Sequence, residues 1–197
     1  MLDIHLEPLR GALGEIMGCI GVGLDITERK KSEEQIRYRA THDALTGLAN
    51  YREFVDTLEQ EVRRADRSRR SFALMLLDLD ELKRINDRLG HLAGNRALKR
   101  LAAVIKQHCR STDLAARYGG DEFALVLIDA NPGMAEHTAD RIERCVRNDG
   151  IEPRISVSIG ISVCPEDGRT AQELLEAADQ QLYRRKRALA SRSMTAS

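Results

Sequence analysis

Two apolar runs meet at a pair of glycines, and that junction constrains the fold more than any other stretch of the chain. Leu114-Ala115-Ala116 leads into Tyr118-Gly119-Gly120-Asp121-Glu122-Phe123, and Ala124-Leu125-Val126-Leu127-Ile128 leads out. The pattern predicts a β-hairpin with the glycines at its tip, where they supply positive φ and let a ligand approach the backbone. Two adjacent carboxylates follow. A bare hairpin has no need of acids there, whereas a site holding a divalent cation and a nucleotide phosphate does. Taken alone, the same tetrad also fits a solvated turn.

A second acidic segment narrows the choice. Phe72-Ala73-Leu74-Met75-Leu76-Leu77 is short, apolar and bounded by polar residues, which predicts a buried strand. It runs into Asp78-Leu79-Asp80. In open α/β sheets ligands bind at the carboxyl ends of strands, and Mg²⁺ prefers one or two carboxylates plus phosphate oxygens. The two segments together outline a two-sided metal clamp. The competing reading is a pair of capping aspartates before a helix that starts near Glu81, and it suits Asp80 better than Asp78.

By its ordered motifs the chain resembles the GGDEF family, the diguanylate cyclases of bacterial signalling, over about residues 42–190. Asp43-Ala44-Leu45-Thr46-Gly47-Leu48-Ala49-Asn50 is similar to the family's opening segment. Asp78 to Asp87, followed by Gly90-His91, is similar to its metal and nucleotide segment, and Arg117 to Phe123 gives the central hairpin intact. Ser156 to Gly160 is similar to the late strand, and Ala178-Asp179 through Leu182-Tyr183 and Lys186 to the C-terminal helix. The resemblance implies a nucleotidyl-cyclase-like palm fold of the α/β class, with a central, mainly antiparallel sheet flanked by helices. It implies condensation of two GTP into cyclic di-GMP, each presented by one of two facing domains of a homodimer, with release of two pyrophosphates. Metal binding (Mg²⁺ or Mn²⁺) falls to Asp78, the Leu79 carbonyl and Asp121, with Glu122 completing the acidic site. Lys83 and Lys186 hold phosphates, Asn86 reads part of the guanine edge, and Gly119 and Gly120 admit the substrate. Asp121 or a metal-held water activates the 3′-hydroxyl. These roles agree with the physics of phosphoryl transfer, which depends on positioning and charge neutralisation. Either lysine alone also fits an ordinary solvated helix residue.

The chain departs from the family pattern at several points. Asn95 stands where Asp is usual; that Asp accepts from guanine N1–H and its exocyclic amine. Hydrogen bonds to a charged group contribute about 1.5–3 kcal/mol, so the change weakens GTP binding by about an order of magnitude. Asn also complements adenine, which leaves a hybrid cyclic GMP–AMP product open, while Asn86 and pocket shape favour retained guanine selection. Ala190 stands where a phosphate-binding arginine is expected, with Arg187 or Arg192 as substitutes. Tyr51 replaces a frequent arginine, with Arg52 next along, and Leu82 a frequent Phe. Arg110-Ser111-Thr112-Asp113 lies at the offset of the family's product-inhibition site, which implies feedback by cyclic di-GMP; its plain alternative is a surface salt bridge.

Composition bounds the rest. With 31 basic and 31 acidic residues in 197 the formal net charge is zero, which argues against a nucleic-acid polymer or a membrane surface as partner. Aromatics are 4 %, too few for single-strand stacking platforms. No apolar run approaches the roughly 20 residues of a membrane helix. Cys19, Cys109, Cys145 and Cys164 have no metal-ligand spacing and read as reduced, mostly core thiols of a cytoplasmic protein. His42, His108 and His137 read as surface residues and His91 as loop support.

Residues 1–27 read as two β segments (Asp3 to Arg10, Glu15 to Leu24) that form a hairpin, similar to the C-terminal remnant of a PAS sensor domain of a longer parent protein. Residues 28–41 read as a charged linker helix, capped by Thr27, with Ile36 available for weak dimer pairing. Helices are expected at Tyr51–Arg69, Asn95–Cys109, Met134–Arg147 and Ala171–Arg185, and a strand at Ile155–Val163. The cyclase domain is expected over 42–190 and a disordered tail over 191–197; a further domain, such as a phosphodiesterase, fits after it. The alternative to an active enzyme is a catalytically weak or inactive module that binds GTP or cyclic di-GMP.

Overall fold

The computed structural model of the chain describes residues 2–10, 12, 14 and 16–195, and for 33–34 and 189–195 the backbone alone. It divides into two compact units, 1–40 and 41–197. In the first, β1 (Leu2–Arg10) pairs antiparallel with β2 (Ile16–Asp25). Leu2, Ile4 and Leu6 share one face with Gly23 and Gly21, and Ile20, Val22 and Leu24 share the other with Glu7, His5 and Asp3. All of these side chains are exposed. Helix α1 (Thr27–Thr41) follows. Its entry is held by Asp25, whose Oδ1 accepts from the Thr27 amide at 2.9 Å and hydroxyl at 2.6 Å. Asp25 thus supplies an acceptor at this helix start.

The second unit is built on a four-stranded antiparallel sheet. Its strands are β3 (Phe72–Leu79), β4 (Leu114–Arg117), β5 (Glu122–Ile128) and β6 (Val157–Cys164), in the order β4-β5-β3-β6. Helices cover both faces, so central β3 is buried throughout and reads as a continuous apolar run. Alternation along β3 separates two cores. Ala73, Met75, Leu77 and Leu79 face α4 (His91–His108) and α5 (Pro132–Arg147). Phe72, Leu74 and Leu76 face α2 (Tyr51–Ser68) and α6 (Ala171–Thr195). Short α3 (Leu82–Leu89) follows β3.

The expected elements are present, with corrected ends. Helix α4 begins at His91, four residues before the expected Asn95, because Gly90 at φ +79° turns the chain directly from α3 into it. Helix α5 begins at Pro132, whose fixed φ suits a first helical position, capped by Asn131 accepting from the Met134 amide at 2.9 Å. Helix α6 continues to Thr195 where a disordered tail over 191–197 is expected; residues 196–197 lie outside the described residues. Only Cys164 is a core thiol: Cys109 is half-buried and Cys19 and Cys145 are exposed. His42 and His108 are half-buried, not surface residues. His42 forms a β-bridge with Ala49, and His108 Nδ1 meets the Val104 carbonyl at 2.8 Å.

Candidate active site

The register places the two acidic segments side by side. Asp78 of β3 is opposite Glu122 of β5 and Ser158 of β6, and the Leu79 amide donates to the Asp121 carbonyl at 3.0 Å. The sheet is antiparallel, so it is this cross-strand pairing, and not the strand-end rule of parallel sheets, that makes the juxtaposition. By alternation Asp78 lies on the face covered by α6. There Lys186 Nζ meets its Oδ2 at 2.6 Å. Asp78 is 6 % exposed. Burial pushes its carboxyl above the usual carboxylate range; the Lys186 ammonium opposes that rise, and the charges of Asp121 and Asp80 add to it.

Asp80 has a different role from Asp78. Its two oxygens accept from the Ser156 and Ser158 hydroxyls, each at 2.7 Å. It does not cap α3, whose N-cap Glu81 has φ +57° and no side-chain cap bond. The two serines were visible in the sequence only as part of the late strand, where their alternation was the available signal.

The hairpin tip corrects one expectation. Neither Gly119 nor Gly120 has positive φ. At Gly119 a Cβ would lie 2.5 Å from Glu122 Oε2, so that carboxylate would have to swing aside, whereas one on Gly120 would meet nothing within 4 Å. The Tyr118 and Gly119 amides both donate to the Glu122 carbonyl, at 2.8 and 3.1 Å, and Arg117 Nη2 donates to the Gly120 carbonyl at 2.6 Å. Arg117 Nη1 also pairs with Asp43, 3.2 Å from each carboxylate oxygen. Asp43 Oδ1 in turn takes the Thr46 amide and hydroxyl at 2.9 and 2.7 Å. The opening segment is thus a brace for the hairpin. Its glycine, Gly47, does have positive φ, +68°. Tyr118 packs between Tyr51 and Phe54, ring centroids 5.4 Å from each.

On the other flank, the Asn86 side chain lies against Gly94 of α4, where a Cβ would come within 2.9 Å of Asn86 Cγ. Asn86 therefore sits beside the first turns of α4, which carry exposed Asn95. Lys83 is exposed on α3. Arg187 lies over the Tyr183 ring, 5.8 Å from its centroid. The side chains of Ala190 and Arg192 lie outside the described residues.

Arg110 and Asp113 are not a side-chain salt bridge. Asp113 accepts the Arg110 amide at 2.8 Å on one oxygen and the Ile128 amide at 3.1 Å on the other. They line a cavity of about 310 Å³ together with His137 and Arg141 of α5, two residues that the sequence pattern did not single out for this place.

No three His, Cys, Asp or Glu side chains gather into a metal cage among the described residues. What the site offers is sparser: a buried carboxylate with an ammonium as its counterion, and neighbouring carboxylates at Asp121 and Glu122. Hard oxygen donors of this number suit Mg²⁺ or Mn²⁺ when phosphate oxygens complete the shell. A divalent cation at Asp78 would compete with the Lys186 ammonium for the same carboxylate.

Residues 40–192 match the family model "Diguanylate cyclase, GGDEF domain", and the chain belongs to that family. Among relatives, it is 36 % identical over 188 residues to the probable diguanylate cyclase DgcE of Escherichia coli K12, covering 92 % of this chain and 17 % of that protein. It is 37 % identical over 187 residues to diguanylate cyclase DgcM of the same organism, covering 92 % and 45 %. The chain thus spans less than half the length of these curated relatives. Among solved structures, a sensory box/GGDEF family protein from Caulobacter crescentus superposes with TM-score 0.70 at 38 % identity, over 75 % of this chain and 99 % of that one. The coiled coil and GGDEF domain of C. crescentus DgcB, solved with c-di-GMP, superposes with TM-score 0.77 at 30 % identity, over 83 % and 90 %. No described helix is long and apolar enough to cross a membrane.

Proposed function

We propose that this chain is a diguanylate cyclase output domain that condenses two GTP into cyclic di-GMP, releases two pyrophosphates and works as a homodimer. The observation that carries the reading is the buried Asp78, set in register with Glu122, beside Asp121 and against Lys186. A divalent cation, Mg²⁺ or Mn²⁺, would be held by Asp78, the Leu79 carbonyl and Asp121 and would neutralise phosphate charge. Lys83 is free to take phosphate charge from α3. Lys186 is a cation on α6 that exchanges Asp78 for phosphate as the site loads. Asn86, oriented against Gly94, reads the guanine edge with Asn95. In each half-reaction a 3′-hydroxyl forms a new ester at the α-phosphate of the other nucleotide, whose pyrophosphate leaves. Asp121 or a metal-held water takes the proton that this hydroxyl loses, and Glu122 completes the acidic site. One domain presents one GTP, so two copies must face each other.

Around this core the hairpin of residues 1–27 is assigned as the end of a PAS sensor domain. Residues 28–41 form the helix that passes its state to the cyclase domain at 42–190. Ile36, 69 % exposed, is placed to pair with a second copy. The cavity at Arg110 and Asp113 is the product-inhibition site, and the protein is cytoplasmic.

The test is incubation with Mg²⁺ and GTP, with and without ATP, followed by mass identification of the products. Cyclic di-GMP from intact protein, abolished by Asp121→Ala, is the expected result; turnover retained by Asp121→Ala overturns the metal assignment. A second reading, a weak or non-catalytic nucleotide-binding module, is favoured by Asn95, and unchanged GTP at high protein concentration would establish it. A mixed GMP–AMP product would show that Asn95 relaxes base choice.

A further inference from the structure

A groove of about 610 Å³ opens between α3 and the connection from α5 to β6. Three separate elements send arginines into it: Arg84 and Arg88 from α3, Arg147 from the end of α5, and Arg154 from the connection. We propose that this groove binds a phosphorylated small molecule of nucleotide size, at a site distinct from both the acidic site and the Arg110 cavity. The proposal goes beyond the cyclase reading and does not require it.

The acidic groups in the walls are all engaged. Glu81 pairs with Arg84 at 3.0 Å, Glu152 with Arg154 at 3.6 Å, and Asp80 holds Ser156 and Ser158. Arg88 and Arg147 have no ion pair among the described residues, and both are exposed. The two existing pairs are solvent-facing and short in sequence range, so each contributes little and yields readily to a stronger anion. A guanidinium grips phosphate oxygens as a fork, with geometry that a lysine lacks.

The floor of the groove is apolar. Ile85 and Ile155 are buried beneath the groove, and Leu89 and Pro153 line its side. Leu89 is 57 % exposed although it flanks a cluster of charges. An apolar floor under converging cations suits a ligand with a flat ring and a phosphate better than it suits an acidic peptide, which would lie along an exposed face. The volume falls within the range of small-molecule sites, roughly 300–1,000 Å³.

The far wall is held in place by hydrogen bonds. Arg100 of α4 donates to Asp149, to the Pro153 carbonyl at 2.8 Å and to the Ile151 carbonyl at 3.0 Å. One side chain thus fixes the connection that forms the far wall. A wall ordered before binding lowers the entropic cost of association. On α3, with about 100° between successive residues, Arg84 and Arg88 share one side while Asn86 points away. The groove and the Asn86–Gly94 contact are therefore on opposite sides of one short helix.

The experiment is isothermal titration of the whole chain with ADP in the presence of EDTA, so that no divalent cation fills the acidic site. Expected is a dissociation constant of about 1 mM or tighter, weakened about tenfold or more in R88A/R147A and less in R88K/R147K, which keep charge without the fork. Adenosine should bind about tenfold more weakly than ADP or not at all. R110A and D78N should bind ADP as the unaltered chain does, and circular dichroism should show all variants folded. Absence of ADP binding, equal binding by R88A/R147A, or loss of binding in R110A or D78N would each overturn the proposal. So would oligoglutamate binding that depends on Arg88 and Arg147 without any for ADP, because it would make the groove a docking face for acidic protein segments.

Discussion

Lys186 Nζ lies 2.6 Å from Asp78 Oδ2, bringing the last helix of the chain onto the end of its central strand. The carboxylate is buried and the lysine is partly exposed, so the pair is unequal: Asp78 depends on the ammonium far more than the ammonium depends on Asp78.

Lys186→Met should therefore destabilise the fold most at neutral and alkaline pH. Burial already raises the Asp78 carboxyl above its ordinary range, and Lys186 is the main opposing influence. A raised folded-state value means stability that is complete below the unfolded value and is lost as pH rises through the folded one. Removing the lysine extends that loss further up the pH scale. Thermal melts at several pH values should show the deficit shrinking towards the ordinary carboxylate range. Millimolar Mg²⁺ should recover more of the melting temperature in the variant than in the unaltered chain; equal recovery would refute Asp78 as a cation ligand.

Gly119→Ala and Gly120→Ala should part company. Neither position has positive φ, so stability should change by about 1 kcal/mol or less in either. The new methyl at 119 displaces the Glu122 carboxylate from the hairpin, and turnover should fall about tenfold or more. At 120 the methyl enters open space, so any loss of turnover at unchanged stability reports contact with substrate alone. Steady-state kinetics beside melting curves decide this.

Asp43 carries an acid-sensitive contribution. Burial pushes its carboxyl up, but the Thr46 hydroxyl and amide and the Arg117 guanidinium outweigh it and hold the group below its ordinary value. That stability is present above the unfolded value and is lost as pH falls through the folded one. Asp43→Asn should cost about 1–3 kcal/mol at neutral pH, and the difference from the unaltered chain should vanish in acid. Denaturant unfolding at pH 7.5 and at stepped acid pH is the measurement.

Arg110 and Asp113 should separate inhibition from stability. Asp113→Ala leaves two backbone amides without acceptors, at a cost of about 1–3 kcal/mol. Exposed Arg110→Ala should change stability by about 0.5 kcal/mol or less and raise the cyclic di-GMP needed for half inhibition by about tenfold. An inhibition curve unmoved by Arg110→Ala would remove the product-inhibition assignment.

Periodicity made the core legible in advance. Leu98, Leu101, Ala102 and Ile105 on α4, and Ala135, Ala139, Ile142 and Val146 on α5, recur at helical spacing and are all buried; Ala93, Gly94 and Ala97 of α4 are buried as well. Helix ends were less legible because local turn chemistry sets them: Gly90 joins α3 to α4 without a spacer, and Asn131 caps α5 one residue ahead of Pro132. The acidic residues were readable as a pair of segments. Their division of labour was legible only in part: Asp80 read as the less central of the two, but its partners are two serine hydroxyls and not the start of α3, and the lysine beside Asp78 comes from the distant helix α6. The close approach at Gly119 was equally hidden, since it comes from the Glu122 side chain three residues on and not from its own φ.

Gly160 of β6 allows α6 its close approach to the sheet: a Cβ there would lie 2.6 Å from the Leu182 amide nitrogen and 2.8 Å from its Cβ. Lys186 is one helical turn beyond Leu182. The seam that closes the hydrophobic core is therefore also the mount for the cation at Asp78. Any fraying of the C-terminal helix back towards Leu182 uncouples charge from carboxylate while the four strands remain paired, so electrostatic competence is lost at a smaller free-energy excursion than the fold itself.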